Sequence, residues 1–305
     1  MTIRLGYQIP NFSYGTGVSE LFPTVIRQAQ EAEEGGFDTV LVMDHFYQLP
    51  MIGTPDQPML EAYTALGALA TATKRVQLGT LVTGNTYRNP TLLAKIITTL
   101  DVVSGGRAIL GIGTGWFELE HEQLGFEFGT FSDRFNRLEE ALQIILPMIK
   151  GERPTFSGKW YHTKEAMANP RFRDHIPLMI GGSGEKKTFR LAAQHFDHLN
   201  IIAGFDELPG KLAALKQRCE EVGRDPATLE TSTLVTALID ENVSADVIPA
   251  EMGQRMVVGS PDSIADQIKT KIFDAGIDAA IINVPFYAPG AVAKLGEALK
   301  PLVAG

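Results

Sequence analysis

The segment Gly181-Gly182-Ser183-Gly184-Glu185-Lys186-Lys187-Thr188 has the composition of an anion site. It follows a short apolar run, Pro177-Leu178-Met179-Ile180, and leads into a helical pattern carrying Phe189, Leu191, Ala192 and Phe196. Glycines let backbone N–H groups converge at a helix start, where a phosphate is favoured. Lys186, Lys187 and Arg190 add local positive charge. The plainer alternative is a glycine turn with surface lysines, but glycine and charge agree here.

Asp44-His45 is the second constellation, directly after an apolar run. A histidine at a strand end can give a proton near neutral pH. A lone histidine is more often structural, so this pair needs support from its surroundings. His45, His121 and His162 lack metal-ligand spacing, so no metal site is expected. Gly182-Ser183-Gly184 is not a nucleophile elbow. Gly111, Gly113 and Gly115 do not have the spacing of a dinucleotide fingerprint. Trp116 and Trp160 fall near loops, where an aromatic ring can stack on a flat ligand or pack beneath the loop.

These residues need elements to position them. Apolar runs at 3–9, 38–43, 76–82, 107–112, 178–181, 198–202, 230–235 and 279–284 alternate with segments of helical spacing. Asn89 and Pro90 open one helix, which stops at Ser104-Gly105-Gly106. Others begin near Ser132 and at Ser260-Pro261, and a last one carries Val292, Leu295, Leu299 and Leu302. Eight strand–helix units in one domain spanning 1–305 predict an α/β (β/α)₈ TIM barrel, with an open doubly wound sheet as runner-up. Insertions are expected after the fourth helix (151–176, with Trp160 and Tyr161 as a lid) and after the seventh strand (236–258). Barrel chemistry sits at the C-terminal strand ends. The residues placed there include Gln8, Asn11, Asp44, His45, Thr83, Asn85, Arg88, Thr114, Gly115, Asn200 and Asn283.

The bulk numbers bound the function. A chain of 305 residues with 44% apolar content can bury a large core. With 27 basic and 36 acidic residues its net charge is −9, which argues against nucleic acid or an anionic membrane as partner. The single cysteine, Cys219, lies on an apolar helix face and forms no intrachain disulfide, which fits a cytoplasmic address. The N-terminus lacks a signal-peptide pattern, and no run approaches the ~20 apolar residues of a membrane span.

In order along the chain come Gly36-Phe37-Asp38-Thr39-Val40, Asp44-His45-Phe46, Val76-Gln77-Leu78-Gly79-Thr80 and Arg88-Asn89-Pro90-Thr91-Leu92-Leu93-Ala94-Lys95. They are followed by Thr99-Leu100-Asp101-Val102-Val103-Ser104-Gly105-Gly106-Arg107, Leu110-Gly111-Ile112-Gly113-Thr114-Gly115-Trp116 and Val258-Gly259-Ser260-Pro261-Asp262. With these segments the chain resembles the luciferase-like monooxygenase superfamily. Its glycine loop resembles the actinobacterial branch that uses the deazaflavin coenzyme F420. The resemblance implies hydride transfer between F420 and a small-molecule substrate, with His45 as proton donor. It implies coenzyme contacts at Asp44, Thr80, Leu81, Thr83, Thr114, Gly115, Gly182, Ser183, Gly184, Glu185, Lys187 and Thr188. It also implies a non-proline cis bond near Thr80-Leu81, and a homodimer.

One departure stands out. The sugar-phosphate dehydrogenases of the branch carry a glutamate after Gly-Thr-Gly, where this chain has Trp116. That argues against sugar-phosphate oxidation. Two alternatives remain at this point: an FMN-dependent monooxygenase on the same fold, and a coenzyme-binding protein without turnover.

Overall fold

The computed structural model describes residues 4–240 and 253–303. All eight expected strands form: β1 (Leu5–Ile9), β2 (Thr39–Val42), β3 (Gln77–Thr80), β5 (Leu110–Gly113), β8 (Leu178–Gly181), β9 (His198–Ile201), β10 (Glu230–Ile239) and β12 (Ala279–Asn283). A two-residue strand, β4 (Thr83–Gly84), continues the third strand after an interruption at Leu81 and Val82. The parallel ladder runs β3-β2-β1-β12-β10-β9-β8-β5-β4. A parallel bridge between Leu78 and Ala108 joins its two ends, so the sheet curls into the expected barrel.

Helices alternate with the strands. Pro90–Val103 starts where the sequence places it, with the Asn89 side chain accepting from the Thr91 N–H at 2.9 Å. Phe131–Ile149 begins at a capping box between Thr130 and Asp133. Pro261–Ile268 is capped by Ser260. Cys219 is buried on the helix Leu208–Glu221. Among the described residues, no helix is long and apolar enough to cross a membrane.

Parallel strands buried on both faces need two cores. The outer one lies between strands and helices and includes Tyr7, Val40, Leu78, Leu110, Ile180 and Ile282. The inner one fills the barrel with Leu41, Leu81, Ile109, Met179, Ala279 and Ile281. Successive residues of each strand serve the two cores in turn. Glycine is required where the third strand crowds its neighbour. A Cβ on Gly79 would lie 2.3 Å from the Ile109 side chain, and one on Gly111 would lie 2.1 Å from the Thr80 carbonyl oxygen.

The cis bond expected near Thr80-Leu81 falls one residue further on, between Leu81 and Val82. The two insertions differ in kind. The stretch 151–176 holds an antiparallel pair, β6 (Phe156–Ser157) and β7 (His162–Thr163). Its turn is tied to the helix Phe131–Ile149 by Glu140, which accepts from the N–H groups of Lys159, Trp160 and Tyr161. After the seventh strand, β10 runs four residues beyond the expected end at Val235. It pairs in parallel with β11 (Met256–Gly259). Residues 241–252 of that insertion lie outside the described residues.

Candidate active site

His45 leaves β2 at the C-terminal mouth of the barrel, with 13% of its side chain exposed. Its Nδ1 lies 2.9 Å from Oε2 of Glu120. Glu120 comes from the short helix Glu118–Leu124, which follows β5, and its side chain is fully buried. Its Oε2 also accepts from the Tyr87 hydroxyl at 2.5 Å. Its Oε1 accepts from the N–H groups of Phe46 at 2.5 Å and Tyr47 at 2.8 Å. Burial alone would raise this carboxyl; the bond and charge of His45, then the Tyr87 hydroxyl and the Tyr47 N–H, outweigh it and hold it below the ordinary glutamate range. A carboxyl lowered in this way adds stability above its unfolded value and loses it as the pH falls through the lowered one.

An ionised carboxylate only accepts, so His45 Nδ1 carries a hydrogen. Among the described residues, the Nε2 on the other edge has no protein partner, and it is not sealed from solvent. The ring stands edge-on to Trp116 and Phe117, at centroid distances of 5.7 and 5.9 Å. Trp116 is 52% exposed.

Asp44, next in the chain, turns the other way. Its oxygens accept a two-pronged bond from Arg88, at 2.7 and 2.9 Å, and the Gly84 N–H at 3.0 Å. Arg88 reaches on to Glu61 at 2.6 Å and sits over the Tyr63 ring. Burial pushes the Asp44 carboxyl up, and the Arg88 guanidinium opposes it. Tyr63, Thr83 and Thr80 form a hydroxyl chain with two 2.6 Å links, which ends with Thr80 donating to the Gly111 carbonyl at 3.2 Å.

The glycine loop closes the far side of the mouth. Gly182 has φ 142°, a conformation open to glycine and rarely to other residues. Lys187, just before the helix Thr188–His195, offers no side-chain cap. Among the described residues, the N–H groups of Ser183 through Thr188 donate to no other protein group. Such a run of open donors with Lys186 and Lys187 exposed beside it suits an anion. Glu185 is paired with Lys211 at 2.8 Å and does not oppose it freely.

The expected site residues therefore fall into three groups. Gly182, Ser183, Gly184, Glu185, Lys187 and Thr188 form the loop itself, with Thr188 buried behind it. His45, Thr114 and Gly115 reach the open mouth, all partly exposed. Asp44, Thr80 and Thr83 spend their polar atoms inside the protein, and the Leu81 side chain packs into the inner core. Val82 links the mouth's walls, since Cβ atoms on Gly113 and Gly181 would lie 2.9 and 3.1 Å from its side chain. The sequence reading missed Glu120 and Tyr87. Phe117, Glu120, His121 and Leu124 share one helix face by their spacing, and a glutamate on a face with Phe and Leu was the available signal. His121 donates from Nδ1 to the Phe117 carbonyl and accepts from Thr86, and burial holds it below the usual histidine range. No group of His, Cys, Asp and Glu that could hold a metal ion occurs among the described residues.

The loop yields a mutational test. A Cβ on Gly184 would lie 3.0 Å from Thr188 Oγ1, so a β-branched valine there requires the Thr188 side chain or the loop to give way and adds bulk beside the open N–H groups. Losing one charge-assisted bond, about 1.5–3 kcal/mol, is tenfold or more in affinity. Gly184→Val is expected to weaken binding of a phosphorylated ligand by about that factor in calorimetric titration, with the melting temperature little changed. Unaltered affinity would remove the loop from the site.

Fold and mouth together define a (β/α)₈ barrel with its polar groups gathered at the C-terminal strand ends, the arrangement of barrel enzymes. The sequence profile described as luciferase-like monooxygenase matches residues 3–245, and the chain belongs to that family. It is 38% identical over 233 residues to the F420-dependent glucose-6-phosphate dehydrogenase of Microbacterium testaceum, covering 75% of this chain and 66% of that protein's length. The corresponding protein of Kineococcus radiotolerans is 30% identical over 278 residues, covering 89% of this chain and 77% of the relative. In fold the chain is similar to an F420-dependent secondary alcohol dehydrogenase solved with an F420-acetone adduct. There the TM-score is 0.83 at 21% identity, with 98% of both chains covered.

Proposed function

We propose that this protein is an F420-dependent oxidoreductase that transfers a hydride between the deazaflavin and a small organic substrate. The observation that carries the reading is the run of open N–H donors from Ser183 to Thr188, at the same mouth as His45. The loop fits a phosphate, and the relatives named above supply the identity of the coenzyme. When bound, the deazaflavin supplies the two-electron hydride chemistry.

The chain's own residues do the rest. Ser183, Gly184, Lys186 and Lys187 hold the anionic end. Val82 and the glycines around it shape the floor. With hydrogen on both nitrogens, His45 gives a proton from Nε2 to the substrate oxygen when hydride arrives at its carbon; with hydrogen on Nδ1 alone, it takes one at Nε2 when hydride leaves. Trp116 beside His45 offers an aromatic face in place of a carboxylate, which favours a small apolar substrate over a sugar phosphate. A homodimer is what the family resemblance implies. A single buried cysteine suits the reducing cytoplasm.

Purified protein titrated separately with F420 and FMN tests the coenzyme. Saturable F420 binding, with the deazaflavin absorbance changing when a substrate such as a secondary alcohol is added, is the expected result. Tight FMN binding with none of F420 would make the protein a flavin monooxygenase instead.

A further inference from the structure

We propose that Glu120 is the positioning residue of this site: it holds His45 with hydrogen on Nδ1, so that Nε2 is the atom that exchanges the proton at the mouth. The inference rests on the reading of His45 as proton donor, yet the hold itself can be observed without turnover.

The geometry leaves His45 little choice. Glu120 is buried and receives four donors, from the Phe46 and Tyr47 N–H groups, the Tyr87 hydroxyl and His45 Nδ1. The two backbone donors come from the residues that follow His45 directly. The carboxylate thus fixes both the turn that presents the ring and the ring's orientation. Tyr87 cannot take over its role, because burial and the Glu120 carboxylate push the phenol's pKa up and keep it a donor. A ring held at one nitrogen by a buried carboxylate presents the other in a single tautomer and direction.

Glu120→Gln separates shape from charge. A glutamine carbonyl can still accept from the Phe46 and Tyr47 N–H groups. Its NH₂ would then face His45 Nδ1, which must become an acceptor, and the hydrogen of the neutral ring moves to Nε2. The turn is kept and the tautomer inverts.

The experiment uses the full chain labelled with ¹⁵N-histidine, with His45 assigned by loss of its signal in His45→Ala. Two-bond proton–nitrogen correlations are recorded at a pH where the ring is neutral. The wild type should show hydrogen on Nδ1 and Glu120→Gln hydrogen on Nε2. The single-turnover hydride-transfer rate of Glu120→Gln should fall about tenfold or more, as when the carboxylate behind a catalytic imidazole is replaced, with the substrate KM changing much less. A wild-type His45 with hydrogen on Nε2 overturns the proposal. So does a Glu120→Gln protein that keeps both the Nδ1 hydrogen and the rate. If Glu120→Gln does not fold, the wild-type spectrum still decides. Tyr87→Phe, which leaves the His45–Glu120 bond in place, should then retain the Nδ1 hydrogen; inversion there would give the role to Tyr87 and overturn the proposal. A correct tautomer together with an unimpaired His45→Ala rate would instead overturn the reading of His45 and leave the hold by Glu120 standing.

Discussion

Replacing His45 with alanine is expected to lower the single-turnover rate of hydride transfer by about 10²–10⁴-fold, the usual contribution of a positioned general acid. Coenzyme affinity should stay within about threefold, because the lost interaction belongs to the transition state and not to the bound ground state. The fold should survive the change. Glu120 would keep the Tyr87 hydroxyl and the Phe46 and Tyr47 N–H groups, so no buried carboxylate is abandoned. Stopped-flow decay of the deazaflavin signal measures the rate, and equilibrium titration the affinity. A weaker complex with an intact rate would make His45 a ligand-positioning residue, with the proton coming from solvent.

Arg88→Met is expected to be the most destabilising exchange at the mouth. It removes both prongs of the guanidinium from Asp44, whose side chain is only 1% exposed, and leaves the Gly84 N–H as its sole partner among the described residues. Breaking one side of a buried pair costs about 3–5 kcal/mol. The bond to Glu61 adds little, since that side chain is 39% exposed. The Asp44 carboxyl, raised by burial, would lose the guanidinium that opposes the rise. In the variant the folded state therefore binds a proton more readily than the unfolded state. The penalty should grow as the pH rises above the ordinary aspartate range and shrink as it falls. Denaturant midpoints across that range measure it. Arg88→Met with Asp44→Asn should recover part of the loss. A single variant within about 1 kcal/mol of wild type would show that the pair is not the anchor argued here.

The barrel was legible in the sequence because its parallel strands are short apolar runs set apart by helices with clear caps, Asn89 and Ser260 among them. The glycine loop was legible because glycine and lysine coincide in a few consecutive positions. Glu120 was not, because it acts across 75 positions on His45, and only the fold brings β2 and the helix after β5 together. Asp44 and His45 read as a pair in sequence but serve opposite directions. Asp44 locks the third strand's loop through Gly84 and Arg88, and His45 faces the mouth. The cis bond was off by one residue, since the resemblance implies such a bond in the third strand's segment without fixing which peptide carries it. The seventh strand ran past Val235 because β11, far along the chain, gives it a partner that local pattern does not reveal.

The carboxylate of Glu140 bears on the turn that the sequence reading gives the part of a lid. By accepting from three successive backbone N–H groups, it joins the turn around Trp160 to the helix Phe131–Ile149. Lys159 and Arg137 lie over the Trp160 ring, at 4.2 and 5.9 Å, and restrain it further. A segment fastened in this way has little conformational freedom left to lose when a ligand arrives. Ordering an interface side chain typically costs about 0.5–1.5 kcal/mol, and the folding of this turn has already borne that for Trp160. A ligand that met Trp160 would gain from this preorganisation, and swinging the turn aside would require either the helix to follow or one carboxylate to release three amides together.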